Sequence, residues 1–253
     1  MAADWFWGDV PEGFEKVQRA ARRVIVVRAG AAGDDELENL FMDGSAGGEE
    51  SRYHGRAKLA HLRLNDGTSA LVRRYRHGGV LRRFTGGVFC TWPPRPFREL
   101  AITEAARRAG LPTVEVLAAC VERIWGPFYR GCLVTRELAG ARDLWAALQD
   151  DSFGRRSVLE AVARSVRHMH RRGIYHGDLN LKNILVAREG ARLQSYIIDF
   201  DKARLFAGEV PAAKAERNLA RLLRSICKLD AQRRYLSAAD WDDLVGFYRD
   251  AAR

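Results

Sequence analysis

The sequence predicts an α+β chain, with strands concentrated in its first half and helices in its second. Three observations carry this. Short apolar runs flanked by turn residues recur up to Glu137, one pair of them joined through an Asp-Gly turn. A long amphipathic pattern at 157–171 dominates the second half and stops at Gly173. The length, 253 residues, is enough for one sizeable domain or two tightly packed lobes whose core needs neither disulfides nor metal. The expected division is 1–137, an N-terminal extension and a β-rich lobe, and 138–253, a helical lobe opening on the hinge Leu138-Ala139-Gly140.

The elements follow in order. Residues 1–28 are one mixed apolar segment in which Val24-Ile25-Val26-Val27 reads as a strand. Glycines at 30, 33, 44, 47 and 48 make 29–50 a loop or a partly disordered stretch. Strands at 57–64 and 69–75 flank Asn65-Asp66-Gly67, a strong hairpin signal because Asp-Gly readily takes the backbone geometry the turn requires. Pro94, Pro96 and Phe97 lead into a helix at 98–108, which Gly110-Leu111-Pro112 stops. Strands at 114–122 and 129–137 pair around Trp125-Gly126-Pro127. A helix begins at Ala141-Arg142-Asp143-Leu144, and the long helix spans 157–171. A last hairpin joins Ile184-Leu185-Val186 to Tyr196-Ile197-Ile198, with Arg188-Glu189-Gly190 as its turn.

The formal charge of +10 says nothing about fold but biases association toward acidic surfaces. Arginines cluster at 73, 74, 76, 82 and 83, with 95 and 98 soon after, and again at 164, 167, 171 and 172. Without a zinc finger, a helix-turn-helix or an aromatic RNA-binding motif to complete the case, nucleic acid is an unlikely partner. An anionic membrane surface is favoured, with ordinary solvated charge as the competing reading. No apolar run approaches the roughly 20 residues needed to cross a bilayer, so a soluble or peripheral protein is expected. Cys90, Cys120, Cys132 and Cys227 lack metal-ligand spacing and read as reduced, buried thiols of a cytoplasmic protein. His168 and His170 stand two apart on a helix and do not face each other, which suits packing or surface roles better than a metal.

The chemistry lies in Tyr175-His176-Gly177-Asp178-Leu179-Asn180-Leu181-Lys182-Asn183 and in Asp199-Phe200-Asp201. The hairpin between them would carry Asn183 into its entrance and Asp199 out of its exit, so the two oxygen ligands meet at one end. Such a pair suits Mg²⁺, which keeps waters and phosphate oxygens beside one or two carboxylates. Asp178, five residues before Asn183, is then the candidate to orient an acceptor hydroxyl and take its proton in phosphoryl transfer. The competing reading makes these residues turn caps. His176 is expected to hold the loop backbone around Asp178 through a ring hydrogen bond. Asp201 either approaches the metal or pairs with Lys202 or Arg204.

In the first half, Arg73 sits where a strand could direct a cation at nucleotide phosphates. Glu99, at the opening of the helix, could reach it; two ordinary surface charges are the alternative. Gly55 is a candidate for phosphate contact against an ordinary turn. The backbone of Glu137 and Ala139 could pair with adenine at the hinge.

These residues resemble the lipopolysaccharide core kinase family, closest to its Kdo (3-deoxy-D-manno-octulosonic acid) kinases, from about His54 to Lys228. The marks are Leu71-Val72-Arg73-Arg74-Tyr75-Arg76 before Gly78-Gly79, Phe97-Arg98-Glu99-Leu100, Gly110-Leu111-Pro112, Leu133-Val134-Thr135-Arg136, Gly140-Ala141-Arg142-Asp143-Leu144, the 175–185 motif, 198–204 and 218–225. The resemblance implies a reduced protein-kinase-like bilobal fold, with a β-rich N-terminal lobe and a mainly helical C-terminal lobe. It implies transfer of the γ-phosphoryl of ATP, with Mg²⁺, to the sugar of Kdo-bearing lipid A. The setting would be peripheral, on the anionic cytoplasmic face of the inner membrane, with no obligate protein partner evident. A heptose kinase of the same group, or another small-molecule sugar kinase, is the alternative. By the same resemblance Arg73 takes the place of the nucleotide-contacting Lys, Glu99 that of its helix partner, Asp178 the acceptor-orienting position, and Asn183 and Asp199 the metal ligands. Two residues depart from protein kinases: Arg73 is a rigid fork where they use Lys, and Asp201 stands where they use Gly.

Overall fold

The computed structural model describes residues 10–19, 22–31, 59–76 and 87–251. Gly55, Gly78, Gly79, Arg82, Arg83 and the 32–50 stretch lie outside the described residues. The chain forms two compact units, one built from residues up to 104 with 115–137, the other from 105–114 with 138 onward.

In the first unit, β1 (Phe14–Arg19), β2 (Arg23–Arg28), β3 (Leu59–Arg63), β4 (Ser69–Arg74), β5 (Val116–Trp125) and β6 (Phe128–Arg136) make one antiparallel sheet in the order β1-β2-β5-β6-β4-β3. The Val24–Val27 run has no polar alternation because both of its faces are covered. Val24 and Val26 join Phe97, Leu100 and Leu133 in one apolar cluster, while Ile25 and Val27 join Leu64, Val72 and Val134 in another. On β5, Val116 belongs to the first cluster and Leu117 and Ala118 both to the second. A register shift between Val116 and Ala118 accounts for that break in alternation. Gly67, at φ 81°, closes the β3–β4 turn, with Asp66 Oδ1 accepting from Thr68 N–H at 2.7 Å.

Helix α1 (Arg95–Arg108) starts one residue before Pro96 and ends in a Schellman turn. There Leu111 N–H donates to Ala106 C=O at 3.0 Å and Gly110 N–H to Arg107 C=O at 2.9 Å, with Gly110 at φ 78°. Its residues 105–108 group with the second unit.

The second unit contains β7 (Arg142–Asp143), α2 (Leu144–Leu148), α3 (Arg155–Arg171), β8 (Ile174–Tyr175), β9 (Ile184–Glu189), β10 (Arg192–Ile197), β11 (Arg204–Leu205), α4 (Ala212–Leu229) and α5 (Ala238–Asp250). Short 3₁₀ turns lie at Asp151–Phe153, Leu181–Asn183 and Phe200–Lys202. Small sheets pair β10-β9-β7 and β11-β8. Helix α5 opens on a capping box in which Ser237 Oγ accepts from Asp240 N–H and Asp240 Oδ2 accepts from Ser237 N–H.

The structure corrects four expectations. β1 is a strand, although it carries only Phe14 and Val17 as apolar residues, because the outer side of β2 pairs with it. Arg142 and Asp143 form a strand against β9 before the helix starts, and Asp143 then caps α2 by accepting from Ala146 N–H at 2.8 Å. Arg188 and Glu189 continue β9, leaving Gly190-Ala191 as the two-residue turn, with Gly190 at φ 61°. Only Cys120 and Cys132 are buried; Cys90 is exposed and Cys227 half-buried, all four being free thiols.

Candidate active site

In the second unit the residues of the 175–183 loop and the end of the β9–β10 hairpin are tied into one hydrogen-bonded network. The hairpin register sets Ile184 opposite Ile197, so Asn183 enters where Asp199 leaves. One residue beyond that register, Ile198 N–H donates to Asn183 C=O at 3.0 Å. Asn183 Nδ2 and Asn180 Nδ2 both donate to the Asp178 carbonyl, at 2.9 and 2.8 Å. With its NH₂ group so engaged, Asn183 keeps Oδ1, an oxygen suited to a hard cation. Asp199 adopts a left-handed backbone, φ 67° and ψ 62°, a conformation that costs a non-glycine residue energy and recurs at functional sites.

His176 is fully buried and its ring joins the two arms of this network. Its Nε2 lies 2.9 Å from Ile198 C=O and its Nδ1 accepts from Asp178 N–H at 3.1 Å. A carbonyl on one nitrogen and an amide N–H on the other permit only the neutral, Nε2-protonated ring. Burial, the largest influence, also holds its pKa below the ordinary histidine value.

Asn218, buried on α4, grips the loop from below. Its Oδ1 accepts from His176 N–H at 3.1 Å, its Nδ2 donates to His176 C=O at 2.7 Å, and its Oδ1 also lies 3.1 Å from His170 Nε2. His170 Nδ1 in turn meets the Tyr248 hydroxyl of α5 at 2.8 Å. Both faces of His170 are therefore spent on packing and hydrogen bonds, and His168 contacts Ala109 C=O at 3.1 Å. Gly177 has no room for a side chain, because a Cβ there would run into the backbone of Lys202.

The Asp178 carboxylate is partly exposed and held by two cations. Arg221 Nη1 stands 3.1 Å from Oδ1 and Lys202 Nζ 3.5 Å from Oδ2. Lys202, expected at Asp201, thus pairs with Asp178 instead, and Asp201 is buried within the Phe200–Lys202 turn.

In the first unit Arg73 on β4 pairs with Glu99 on α1. Glu99 is only 2% exposed and its second oxygen accepts from the Tyr75 hydroxyl. The Arg73 guanidinium lies 4.9 Å from the centre of the Tyr75 ring, so Tyr75 both supports the cation and shares its carboxylate. Thr103 Oγ1 donates to Glu99 C=O at 2.7 Å. Glu137 N–H donates to Ser69 C=O at 2.9 Å and its carboxylate lies 3.4 Å from His61 Nδ1, which leaves the carbonyl as what its backbone offers a base. Ala139 is exposed, within a turn closed by Ala141 N–H donating to Leu138 C=O at 3.1 Å.

Sequence reasoning singled out neither Tyr75, Asn218 nor Arg221 for the site. Asn218 carried a signal: it falls on the same helical face as Ala215, Leu222 and Ile226, where an amide is out of place unless it has buried partners. Among the described residues no group of three or more His, Cys, Asp or Glu could hold a metal, so any ion here depends on the sparser Asn183–Asp199 set.

The model of the lipopolysaccharide kinase (Kdo/WaaP) family matches residues 47–248. A 3-deoxy-D-manno-octulosonic acid kinase of Xylella fastidiosa (strain 9a5c) is 36% identical over 172 residues, 65% of this chain and 64% of that protein. The chain thus spans a little under two thirds of the length of that relative. The enzyme of the same name from Pasteurella multocida (strain Pm70) is 31% identical over 201 residues, 77% of this chain and 82% of that one. Among solved structures, WaaP in complex with acyl carrier protein aligns with a TM-score of 0.54 at 22% identity, over 80% of this chain and 78% of that one. A Rio2 kinase-ADP/Mg²⁺-phosphoaspartate complex from Chaetomium thermophilum aligns with a TM-score of 0.50 at 15% identity, over 95% and 82%. These likenesses establish the kinase-like α+β fold.

Proposed function

The chain belongs to the lipopolysaccharide kinase (Kdo/WaaP) family, and from that premise we propose that it transfers the γ-phosphoryl group of ATP to a hydroxyl of the sugar in Kdo-bearing lipid A. The observation that carries this reading is the Asp178 loop. Its backbone is fixed through His176 and Asn218 while its carboxylate stays partly exposed, and Asn183 is tethered to its carbonyl.

Asp178 orients the acceptor hydroxyl and takes its proton as the oxygen bonds to the γ-phosphorus and the bond from that phosphorus to the bridging oxygen breaks, releasing ADP. Asn183 Oδ1 and the Asp199 carboxylate would hold Mg²⁺, which would supply neutralisation of charge on the nucleotide phosphates. Arg73, positioned by Glu99 and Tyr75, contacts those phosphates with its planar fork. The Glu137 carbonyl and the Ala139 N–H serve the adenine edge. Arg73 favours this role over mere surface pairing because its carboxylate partner is buried.

The charge of +10 supports peripheral attachment at the anionic cytoplasmic face of the inner membrane. Among the described residues no helix is long and apolar enough to cross a membrane.

The test is phosphate incorporation and product mass with ATP and Mg²⁺, offering Kdo-lipid A, a heptosylated core lipid and a generic peptide at matched concentrations. It is run with and without acyl carrier protein, which the similar WaaP structure holds. Kdo-lipid A is expected to gain one phosphoryl group. Modification of the peptide with no sugar-lipid product overturns the reading. Modification of the heptosylated lipid alone keeps the chemistry and replaces the acceptor.

A further inference from the structure

Helix α4 carries Lys214, Arg217, Arg221, Arg224 and Lys228 at alternating spacings of three and four residues, so all five fall along one face. The row is about 21 Å long at 1.5 Å per residue. Glu216 is the one acidic residue in the helix. The other side is the buried one, formed by Ala215, Asn218, Leu219, Leu222 and Ile226. Arg217, Arg221, Arg224 and Lys228 are exposed, while Lys214 leans over the rings of Tyr175 and Phe206 at 5.9 and 5.8 Å.

Several arginines of the clusters that stand out in the sequence are engaged within the protein. Arg73 is paired with Glu99, Arg164 with Glu160 and Arg167 with Glu209, and Arg95 lies 4.5 Å from the centre of the Phe89 ring. The α4 row is different in arrangement, and it runs into the site. Arg221 is its member at Asp178, and Lys202 approaches the same carboxylate from the other oxygen. Two cations thus stand against one carboxylate beside the place assigned to the acceptor hydroxyl.

We propose that this row binds the acidic groups of the acceptor. The carboxylate of the sugar that receives the phosphoryl group lies between Arg221 and Lys202, and the remaining anionic groups of the glycolipid head follow Arg217, Arg224 and Lys228 along α4. The inference rests on the assignment of Asp178 to the acceptor hydroxyl, and it names what would distinguish an acid sugar from a neutral one at that site. A neutral heptose has no carboxylate to place against the pair, so the same geometry disfavours it.

Two measurements test this. The first needs no turnover: cosedimentation with phosphatidylcholine vesicles containing Kdo-lipid A, comparing wild type, Arg224→Gln/Lys228→Gln and, as a control of equal charge, Arg171→Gln/Arg172→Gln. The α4 double variant is expected to bind on the order of 20-fold more weakly, from the usual worth of a cation at an anionic surface. The control should lose several-fold less. Equal losses in both, or a loss in neither, overturn the proposal.

The second measures KM for ATP and for Kdo-lipid A in Arg221→Gln and Arg221→Lys, with the natural acceptor and with one whose sugar carboxylate is methyl-esterified. Arg221 is exposed, so these variants are expected to fold. Arg221→Gln should raise KM for the natural acceptor about tenfold, by the loss of one charge-assisted contact. KM for ATP should stay within about twofold, Arg221→Lys should recover part of the loss, and the esterified acceptor should no longer distinguish wild type from Arg221→Gln. A rise confined to the KM for ATP assigns the cations to the nucleotide and overturns the proposal. If wild type fails to phosphorylate Kdo-lipid A while α4-dependent vesicle binding persists, the anion-binding row stands and the proposed reaction falls.

Discussion

Asp178 is held by its backbone, which frees its side chain for chemistry. Its N–H is bound by a neutral imidazole and its C=O by two side-chain amides. Replacing the carboxylate by an amide leaves all three bonds in place, so Asp178→Asn is expected to lower kcat by about 10²–10⁴-fold, the usual worth of a positioned base. ATP affinity should hold. A large loss of ATP affinity with turnover intact at saturation would contradict the acceptor-side role. Asp199→Asn should instead weaken the response to Mg²⁺ and cost several powers of ten in turnover; near-wild-type rates across a metal titration would reject the metal assignment. Asn218 acts at one remove, through three buried groups of His176 and His170. Leucine at that position leaves them without partners, at about 1–3 kcal/mol for each unsatisfied group. A urea titration showing Asn218→Leu as stable as wild type would mean that the amide is dispensable. The approach of Asn183 to Asp199 was legible from the hairpin between them, whose register brings entrance and exit to one end. Arg221 was not, because a helix distant in sequence brings it to the loop, and the apolar face around Asn218 signals a buried amide without saying which groups it meets.

At the scale of elements, the ion pair between Arg73 of β4 and Glu99 of α1 is the clearest test of whether strand and helix act together. Glu99 is buried with Arg73 and Tyr75 on its two oxygens, so removing either charge takes a direct ionic partner from the other. Single Ala variants and the double are therefore expected to be non-additive, with a coupling of at least about 1 kcal/mol in both stability and ATP KM. Additive effects would show that the two residues act independently. The same scale explains what the sequence disclosed about the fold. β2 was readable because covering on both faces produces an unbroken apolar run, and the stop of α1 because Gly110 is needed at positive φ. β1 was not, since a strand pairing at the outer edge of a sheet needs few apolar residues of its own. The β9–β10 turn was misplaced for a related reason. Arg188 and Glu189 are exposed where they pair with β10, so their polarity reported solvent and not the end of the strand.

For the molecule as a whole, the buried histidine between α3, α4 and α5 makes stability depend on pH. Burial, the largest influence, with the nearby Arg167 and His176 pushes the His170 pKa down from 6.5 to about 4, against the opposing Asn218 hydrogen bond and Glu209. Between about pH 4 and 6.5 the unfolded chain therefore binds a proton at this position that the folded chain does not. The contribution is complete above that window and is lost as pH falls through it. From pH 7 to pH 5 this one group should remove about 2 kcal/mol of unfolding free energy, and the buried His176 adds a loss in the same direction. Protonation at His170 would also require the Tyr248 hydroxyl to accept from Nδ1 where it now donates to it. Urea titrations of wild type and His170→Gln at both pH values test this. The variant is expected to be less stable at pH 7 from lost packing, yet to lose about 2 kcal/mol less than wild type on going to pH 5. The comparison is of slopes, so a general loss of packing cannot imitate it. Equal declines in the two proteins would mean that His170 already titrates in the folded state as it does in the unfolded chain, and the buried neutral ring between the three helices would have to be given up.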